Sequence, residues 1–295
     1  MVYTIGIDIG GTKVAVGIAR GKSLVSYEKF KTPKSSKELL AKLISTIDRL
    51  MKKSSLKKQQ IKNIGIGVPG PIVKGKILAF PNAHQIEKTH FFDIEKKFKI
   101  PIYLDNDVNC IGIAECLYGA AKKNKHSLVI AVGTGIGGAI IENGKIIRGK
   151  GAAGEFGHMI VHSNGLLCQC GKKGCLEQYA SGKAIERMAK KEGRPANVFI
   201  LEEMAKKGDK KSIKIYENAG HYLGIGLHNL SMAFNPDIII IGGGLGMAET
   251  SLFESSKKYL KGKNIIPYPK IVKARLGWKA GMVGAANLYR MMDLQ

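Results

Sequence analysis

The sequence is short of acid, of arginine and of long apolar runs. Only 23 of its 295 residues are Asp or Glu against 47 Lys and Arg, so the formal net charge is +24. Arginine supplies just seven of the basic residues (Arg20, Arg49, Arg148, Arg187, Arg194, Arg275 and Arg290), and the rest are lysines spread in pairs such as Lys52-Lys53 and Lys190-Lys191. Base readout and bidentate phosphate recognition favour arginine. The composition therefore reads as a solvated, Lys-coated surface rather than a specific nucleic-acid binder, although its field still draws in anionic substrates. The most apolar stretch, Asp237 to Ala248, is well short of the ~20 residues that cross a bilayer and is broken by glycines. No basic leader precedes Tyr3–Asp8, and a carboxylate ends that run, so no signal peptide is expected. Five cysteines, three of them between 168 and 175, suit metal ligands in a reducing compartment better than a disulfide framework. A cytoplasmic protein without a membrane partner is expected.

What the chain does have is hydrophobic content, 44%, and a length that suggests two domains of roughly 100–200 residues each. An internal repeat organises it. Residues 3–26 read as strand, Gly-rich turn, strand, Gly-Lys turn and strand, and residues 126–148 repeat that order. Each unit is a three-stranded meander followed by helical signals. Ser35–Lys53 spaces Leu39, Leu43, Ile47 and Leu50 as an amphipathic helix after a Ser cap. Ile61–Val68, Ile102–Leu104 and Asp237–Ile241 read as strands. Val108–Ala121, Ser181–Glu192, Val198–Lys206, Ser212–Ala233 and Gly281–Met292 read as helices. A duplicated α/β architecture with a cleft between halves is expected, with residues 1–110 plus 283–295 in one domain and 111–282 in the other.

Three glycine corners carry the first chemistry. Asp8-Ile-Gly10-Gly11-Thr12-Lys13 leaves one strand and enters another, which excludes the Rossmann and Walker types, where the glycines open a helix. Such a hairpin can aim backbone N–H groups and a hydroxyl at phosphate, with Asp8 holding Mg²⁺ directly or through water. Alone it is equally a plain turn. The matching turn Gly133-Thr134-Gly135-Ile-Gly-Gly138 makes a pair of phosphate hairpins, and Gly242-Gly243-Gly244 ends a strand where backbone could approach an adenosine. His158, Cys168, Cys170 and Cys175 supply one imidazole and three thiolates, a closed tetrahedral set of the kind that holds structural zinc; three thiols in a surface loop are the alternative. Cys110 and Cys116 read as small core residues. Asp105-Asn106-Asp107 places two carboxylates at a strand end.

In this order these motifs, with Pro69-Gly70, Gly154-Glu-Phe-Gly-His158 and Asn235-Pro236, resemble the ROK family of sugar kinases and repressors, within the actin-like ATPase superfamily. The resemblance spans Asp8 to about Gly284. It implies two ribonuclease-H-like domains around a central cleft, a structural zinc on His158, Cys168, Cys170 and Cys175, and ATP with Mg²⁺. It implies that Asp107 is the catalytic base and that Asn106 holds the sugar. Glu155, His158 and Glu177 match residues that bind ring hydroxyls, and Asn82 is a weaker candidate for a further contact. Phosphorylation of a hexose at the 6-hydroxyl follows, most simply of glucose. Glucose-using members often carry a Trp in the region equivalent to Phe80–Phe92, and this chain has none there, which leaves N-acetylglucosamine, N-acetylmannosamine and fructose open. Polyphosphate in place of ATP is a further possibility, mildly favoured by the charge. Repressors of the family usually place a helix-turn-helix domain before the first phosphate motif, and with Asp8 as the eighth residue none is expected here. A homodimer or larger homo-oligomer is the default.

Overall fold

The computed structural model describes residues 2–73, 76–77, 86, 88–262 and 264–292. The first sheet forms from β1 (Tyr3–Ile9), β2 (Lys13–Arg20), β3 (Ser23–Lys31), β4 (Ile61–Val68) and β7 (Ile102–Asn106), in the order β3-β2-β1-β4-β7; β5 (Ile72–Val73) and β6 (Lys76–Ile77) form a separate hairpin. β1–β3 are antiparallel, whereas β4 and β7 add to β1 in parallel. The second sheet repeats this pattern with β8 (His126–Val132), β9 (Ile136–Glu142), β10 (Lys145–Ile147), β11 (Ile238–Gly242) and β12 (Lys270–Lys273), in the order β10-β9-β8-β11-β12. The repeat in the sequence is thus a repeat of topology.

The chain divides into two compact units: Met1–Lys125 with Ala139–Ala153 and Trp278–Gln295, and His126–Gly138 with Gly154–Gly277. Residues 111–125, 139–153 and 278–282, expected in the second domain, group with the first unit. In that unit α1 (Ser36–Lys53) starts at Ser35, whose hydroxyl accepts the Glu38 N–H. It buries Leu39, Leu43 and Ile47 in one cluster with Ile5, Ile7 and Ile9 of β1 and Val14, Val16 and Ile18 of β2. Side chains alternate along a strand, so Gly6 and Asp8 face the other way. α2 (Phe92–Phe98) and β12 were not expected from the sequence. α3 (Asp107–Tyr118) follows β7 without a gap.

The opposite face of the first sheet carries a row of glycines. Gly17, Gly6 and Gly65 are directly paired across β2, β1 and β4. A Cβ on Gly6 would run into the Met282 carbonyl, and one on Gly65 into the Ala285 carbonyl. These glycines let the helix Ala280–Ala286 lie with its backbone on the sheet. The single helix expected over Gly281–Met292 is in fact two, Ala280–Ala286 and Tyr289–Met292. Asn287 separates them: its Nδ2 donates to the Val283 carbonyl at 2.8 Å, and its Oδ1 accepts the Tyr118 hydroxyl at 3.1 Å.

The second unit holds β8 and β11 with α4 (Glu177–Ala180), α5 (Gly182–Lys191), α6 (Val198–Lys206), α7 (Lys210–Phe234), α8 (Gly244–Met247) and α9 (Ser251–Tyr259), of which α8 packs on both strands. The four consecutive isoleucines of β11, Ile238–Ile241, are buried, as a central parallel strand requires. Among the described residues, no helix is long and apolar enough to cross a membrane.

Candidate active site and metal centre

Asp8 stands in β1 rather than in the turn that follows it. Across the sheet it belongs to one row, Lys29–Ala15–Asp8–Gly67–Asp105, each member directly paired with the next. In an aligned row the side chains share a face. Burial pushes the Asp8 carboxyl up to about 6, against the pull of Lys29. Such a carboxyl is readily neutralised, by a proton or by a cation. The adjoining turn is tied down: Gly10 N–H donates to the Lys13 carbonyl at 2.9 Å, Thr32 N–H to the Thr12 carbonyl at 3.0 Å, and Thr32 Oγ1 to the Gly10 carbonyl at 2.7 Å. Thr32 was missed in the sequence; its only signal is a Thr-Pro step at the end of β3.

At the end of β7, Asp105 is buried and its Oδ2 accepts both Nε (2.9 Å) and Nη2 (2.6 Å) of Arg148. Its Oδ1 accepts the Asn106 N–H and Asn109 Nδ2, each at 2.8 Å. It is an anchor rather than a helix cap. The cap is Asn106, whose Oδ1 accepts the Val108 and Asn109 N–H groups at 2.8 and 3.1 Å. Its Nδ2 donates to the Gly70 carbonyl at 3.2 Å, which uses one of the amide's two protons. Asp107 opens α3, partly exposed, with Oδ1 accepting the Val108 N–H at 2.9 Å. Arg148 had no assigned role in the sequence. A lone arginine among lysines, after a strand, was its one signal.

The second glycine turn is held from two sides. Gly182 N–H, at the start of α5, donates to the Gly133 carbonyl at 2.8 Å, and Lys183 N–H donates to the Thr134 carbonyl at 3.3 Å. Glu177 Oε2 accepts the Ile136 N–H at 2.8 Å, and a Cβ on Gly135 would strike that carboxylate. Gly243 has φ +79°, a left-handed conformation, and a Cβ there would meet the backbone of Val132. Gly11, Gly133 and Gly244 differ. Apart from adjacent residues, no described part of the chain lies within 4 Å of where their Cβ would stand, so packing does not dictate glycine at these positions.

Glu155, His158 and Glu177 come together. His158 Nε2 lies 3.9 Å from Glu155 Oε2. Burial raises the Glu155 carboxyl above its ordinary range, His158 lowers it, and the Glu177 charge raises it further. Asn82 lies outside the described residues.

His158, Cys168, Cys170 and Cys175 offer four donor atoms, all within 4.8 Å of one another. His158 Nδ1 is 3.6 Å from Cys168 Sγ, and the Cys170 and Cys175 sulfurs are 3.5 Å apart without a disulfide. Zinc–ligand bonds of about 2.0–2.3 Å span such separations, so the donor set fits a zinc ion. Gly171 and Gly174, both at positive φ, let the loop fold back on itself. Burial and the adjacent sulfurs push the Cys175 thiol up to about 12, crowding that a cation would relieve. Cys110 is buried and Cys116 only partly so.

Comparison with known proteins matches residues 4–291 to the ROK family. The chain belongs to the ROK family, and it is a sugar kinase of that family. It is 32% identical to a glucokinase of Streptomyces coelicolor, across 99% of both chains. It is similar to the crystal structure of a ROK family glucokinase from Streptomyces griseus in complex with glucose and AMPPNP, with 30% identity, TM-score 0.83, and 97% of this chain and 98% of that one covered. It is also 32% identical to the xylose repressor of Bacillus spizizenii, over 81% of this chain and 63% of the repressor.

Proposed function

We propose that this ROK kinase transfers the γ-phosphoryl group of ATP to the 6-hydroxyl of a hexose, with glucose the leading substrate. The observation that carries this reading is the full-length likeness to a glucokinase seen with glucose and AMPPNP, in a chain that keeps Asn106-Asp107 at a strand-to-helix junction. Two ribonuclease-H-like halves are part of the same reading.

In this reaction the sugar oxygen bonds to the γ-phosphorus while the bond to the β–γ bridging oxygen breaks, ADP leaves, and the hydroxyl proton passes to Asp107. Asp107 opens α3, where its Oδ1 accepts the Val108 N–H. The remaining Nδ2 proton of Asn106 would orient the hydroxyl. Asp105, pinned by Arg148, fixes the junction from which both project. Glu155, His158 and Glu177 would bind other ring hydroxyls. The amides of Gly10–Lys13 and Gly133–Gly135 would receive the phosphates, where glycine leaves backbone open to close approach, and Gly243-Gly244 would adjoin the adenosine. Mg²⁺ near Asp8 would supply charge neutralisation for the donor. Zinc on His158, Cys168, Cys170 and Cys175 would fix the loop and the His158 ring.

A kinase assay over a panel of hexoses and N-acetylhexosamines, with ATP and polyphosphate as donors, tests the reading. Glucose with ATP is expected to give the highest kcat/KM, and no turnover with any hexose would defeat it. The repressor match supports a second reading, a sugar-responsive regulator, which requires sugar-sensitive specific DNA binding in a gel shift at physiological salt.

A further inference from the structure

We propose that Lys29 is a phosphate-donor ligand of this kinase, an ammonium poised on the Trp278 ring beside the Gly10–Lys13 turn, so that Trp278 reports its engagement. The inference rests on the kinase reading and adds to it a residue outside the glycine motifs. Lys29 closes the row Lys29–Ala15–Asp8. Alanine in the middle of the row leaves room for the long lysine side chain to lie over it toward Asp8. The segment after β12 meets the row at Lys29 and at Asp8. Trp278 lies under the ammonium, with Lys29 Nζ 3.4 Å from the ring centroid and the Tyr27 ring 4.9 Å from the indole. Three residues on, Gly281 sits so close to Asp8 that a Cβ there would strike the carboxylate.

The same face carries two more lysines. Lys13, at the end of the phosphate turn, is directly opposite Lys31, and each is two residues from a member of the row. Like charges placed directly opposite on a sheet destabilise it. Here two lysines stand opposite each other on β2 and β3, and Lys29 follows two residues along on the face that carries Asp8. Such a concentration of positive charge beside the Gly10–Lys13 turn suits a polyanion. Lys29 is the member whose position is set by a ring: the indole face holds an ammonium without neutralising it, so the charge stays available to an anion.

Trp278 is the only tryptophan, so tryptophan emission, excited selectively over the tyrosines, reads this site alone. Titration of the full chain with inorganic tripolyphosphate is expected to change Trp278 emission saturably, and sodium sulfate at equal ionic strength is not. Lys29→Met keeps the apolar stem over the ring and should weaken tripolyphosphate about tenfold or more, the loss of a charged hydrogen bond. It should raise the KM for MgATP similarly while leaving the sugar KM in place; Lys29→Arg should recover most of both. If Lys29 only balances Asp8, folded Lys29→Met will keep tripolyphosphate affinity and donor KM within twofold, and the proposal falls. It falls equally if sulfate reproduces the emission change, or if Lys29→Gln, serving where the Met variant does not fold, binds tripolyphosphate no more weakly than a variant at Lys62. Absence of sugar phosphorylation with a Lys29-dependent tripolyphosphate titration would sink the kinase reading, and the donor role with it, and leave a polyphosphate site at Lys29.

Discussion

Arg148 grips Asp105 at two points on one oxygen, Nε at 2.9 Å and Nη2 at 2.6 Å, while the other oxygen receives the Asn106 N–H and Asn109 Nδ2. The pair is nearly dry, with the two side chains 16% and 4% exposed. Removing one partner of a buried pair typically costs about 3–5 kcal/mol, because the other charge is left stranded. Arg148→Met should therefore lower the unfolding free energy read from urea titration by that much, with a lower midpoint, and lower kcat through the loosened Asn106-Asp107 junction. Arg148→Lys should recover part of the stability, since the charge returns without the fork. A midpoint unchanged in Arg148→Met would mean that the pair anchors nothing.

Asp107→Asn should fold normally, because the new side-chain oxygen can still accept the Val108 N–H. Its kcat is expected to fall by about 10²–10⁴, the usual contribution of a general base, with a smaller change in sugar KM. Steady-state kinetics beside a thermal melt would separate the two effects, and normal turnover would remove Asp107 from the chemistry.

The Asp8 carboxyl has a pKa near 6 in the folded chain against 3.8 for an ordinary aspartate. The fold thus prefers the protonated form. The stability that Asp8 contributes is fully present below about pH 3.8, declines as pH rises through about 6, and is absent above it. The decline amounts to at most about 3 kcal/mol. In nucleotide-free protein without added magnesium, Asp8→Asn should flatten the stability profile between pH 4 and 6 and raise the melting temperature at pH 8. Parallel profiles for the two proteins would contradict this.

Metal analysis of protein purified without chelator should find one zinc per chain, and Cys175→Ser should lose it. Because His158 Nδ1 faces Cys168 while its Nε2 faces Glu155, chelation should weaken sugar binding as well as lower the melting temperature. Calorimetry with glucose before and after chelation reads both. Metal-free protein with full sugar affinity would dismiss the zinc.

Two glycines should respond in opposite ways. Gly65→Ala drives a Cβ into the Ala285 carbonyl and should unfold the first unit or destabilise it by several kcal/mol. Gly11→Ala meets no such obstacle; it should fold as stably as the parent and raise the donor KM. Equal melting temperatures with equal donor KM values would mean that Gly11 serves neither purpose.

Much of the fold was legible in the chain. The strand–turn–strand repeat is local, and its alternation and glycine positions follow from backbone geometry alone. Helices with strong caps, such as Ser35 before α1 and Ser181 before α5, were placed to within a residue or two. What failed was non-local. Lys270–Lys273 carries no strand signal beyond two apolar residues and is a strand because β11 offers it an open edge. The break at Asn287 depends on Tyr118, far away in sequence.

The candidate site divides along the same line. Residue types and spacing by themselves singled out the Cys-and-His set and the glycine turns, because each is written within a short stretch of chain, whereas the Asp107 candidate came from the resemblance to the ROK family. Tertiary structure alone decided that Asp105 is locked by Arg148, that Thr32 ties the first turn, and that Lys29 shares a row with Asp8 under the segment bearing Trp278. Those contacts join strands and loops tens to hundreds of residues apart. Only pairing register and packing, which no short window of sequence encodes, bring them together.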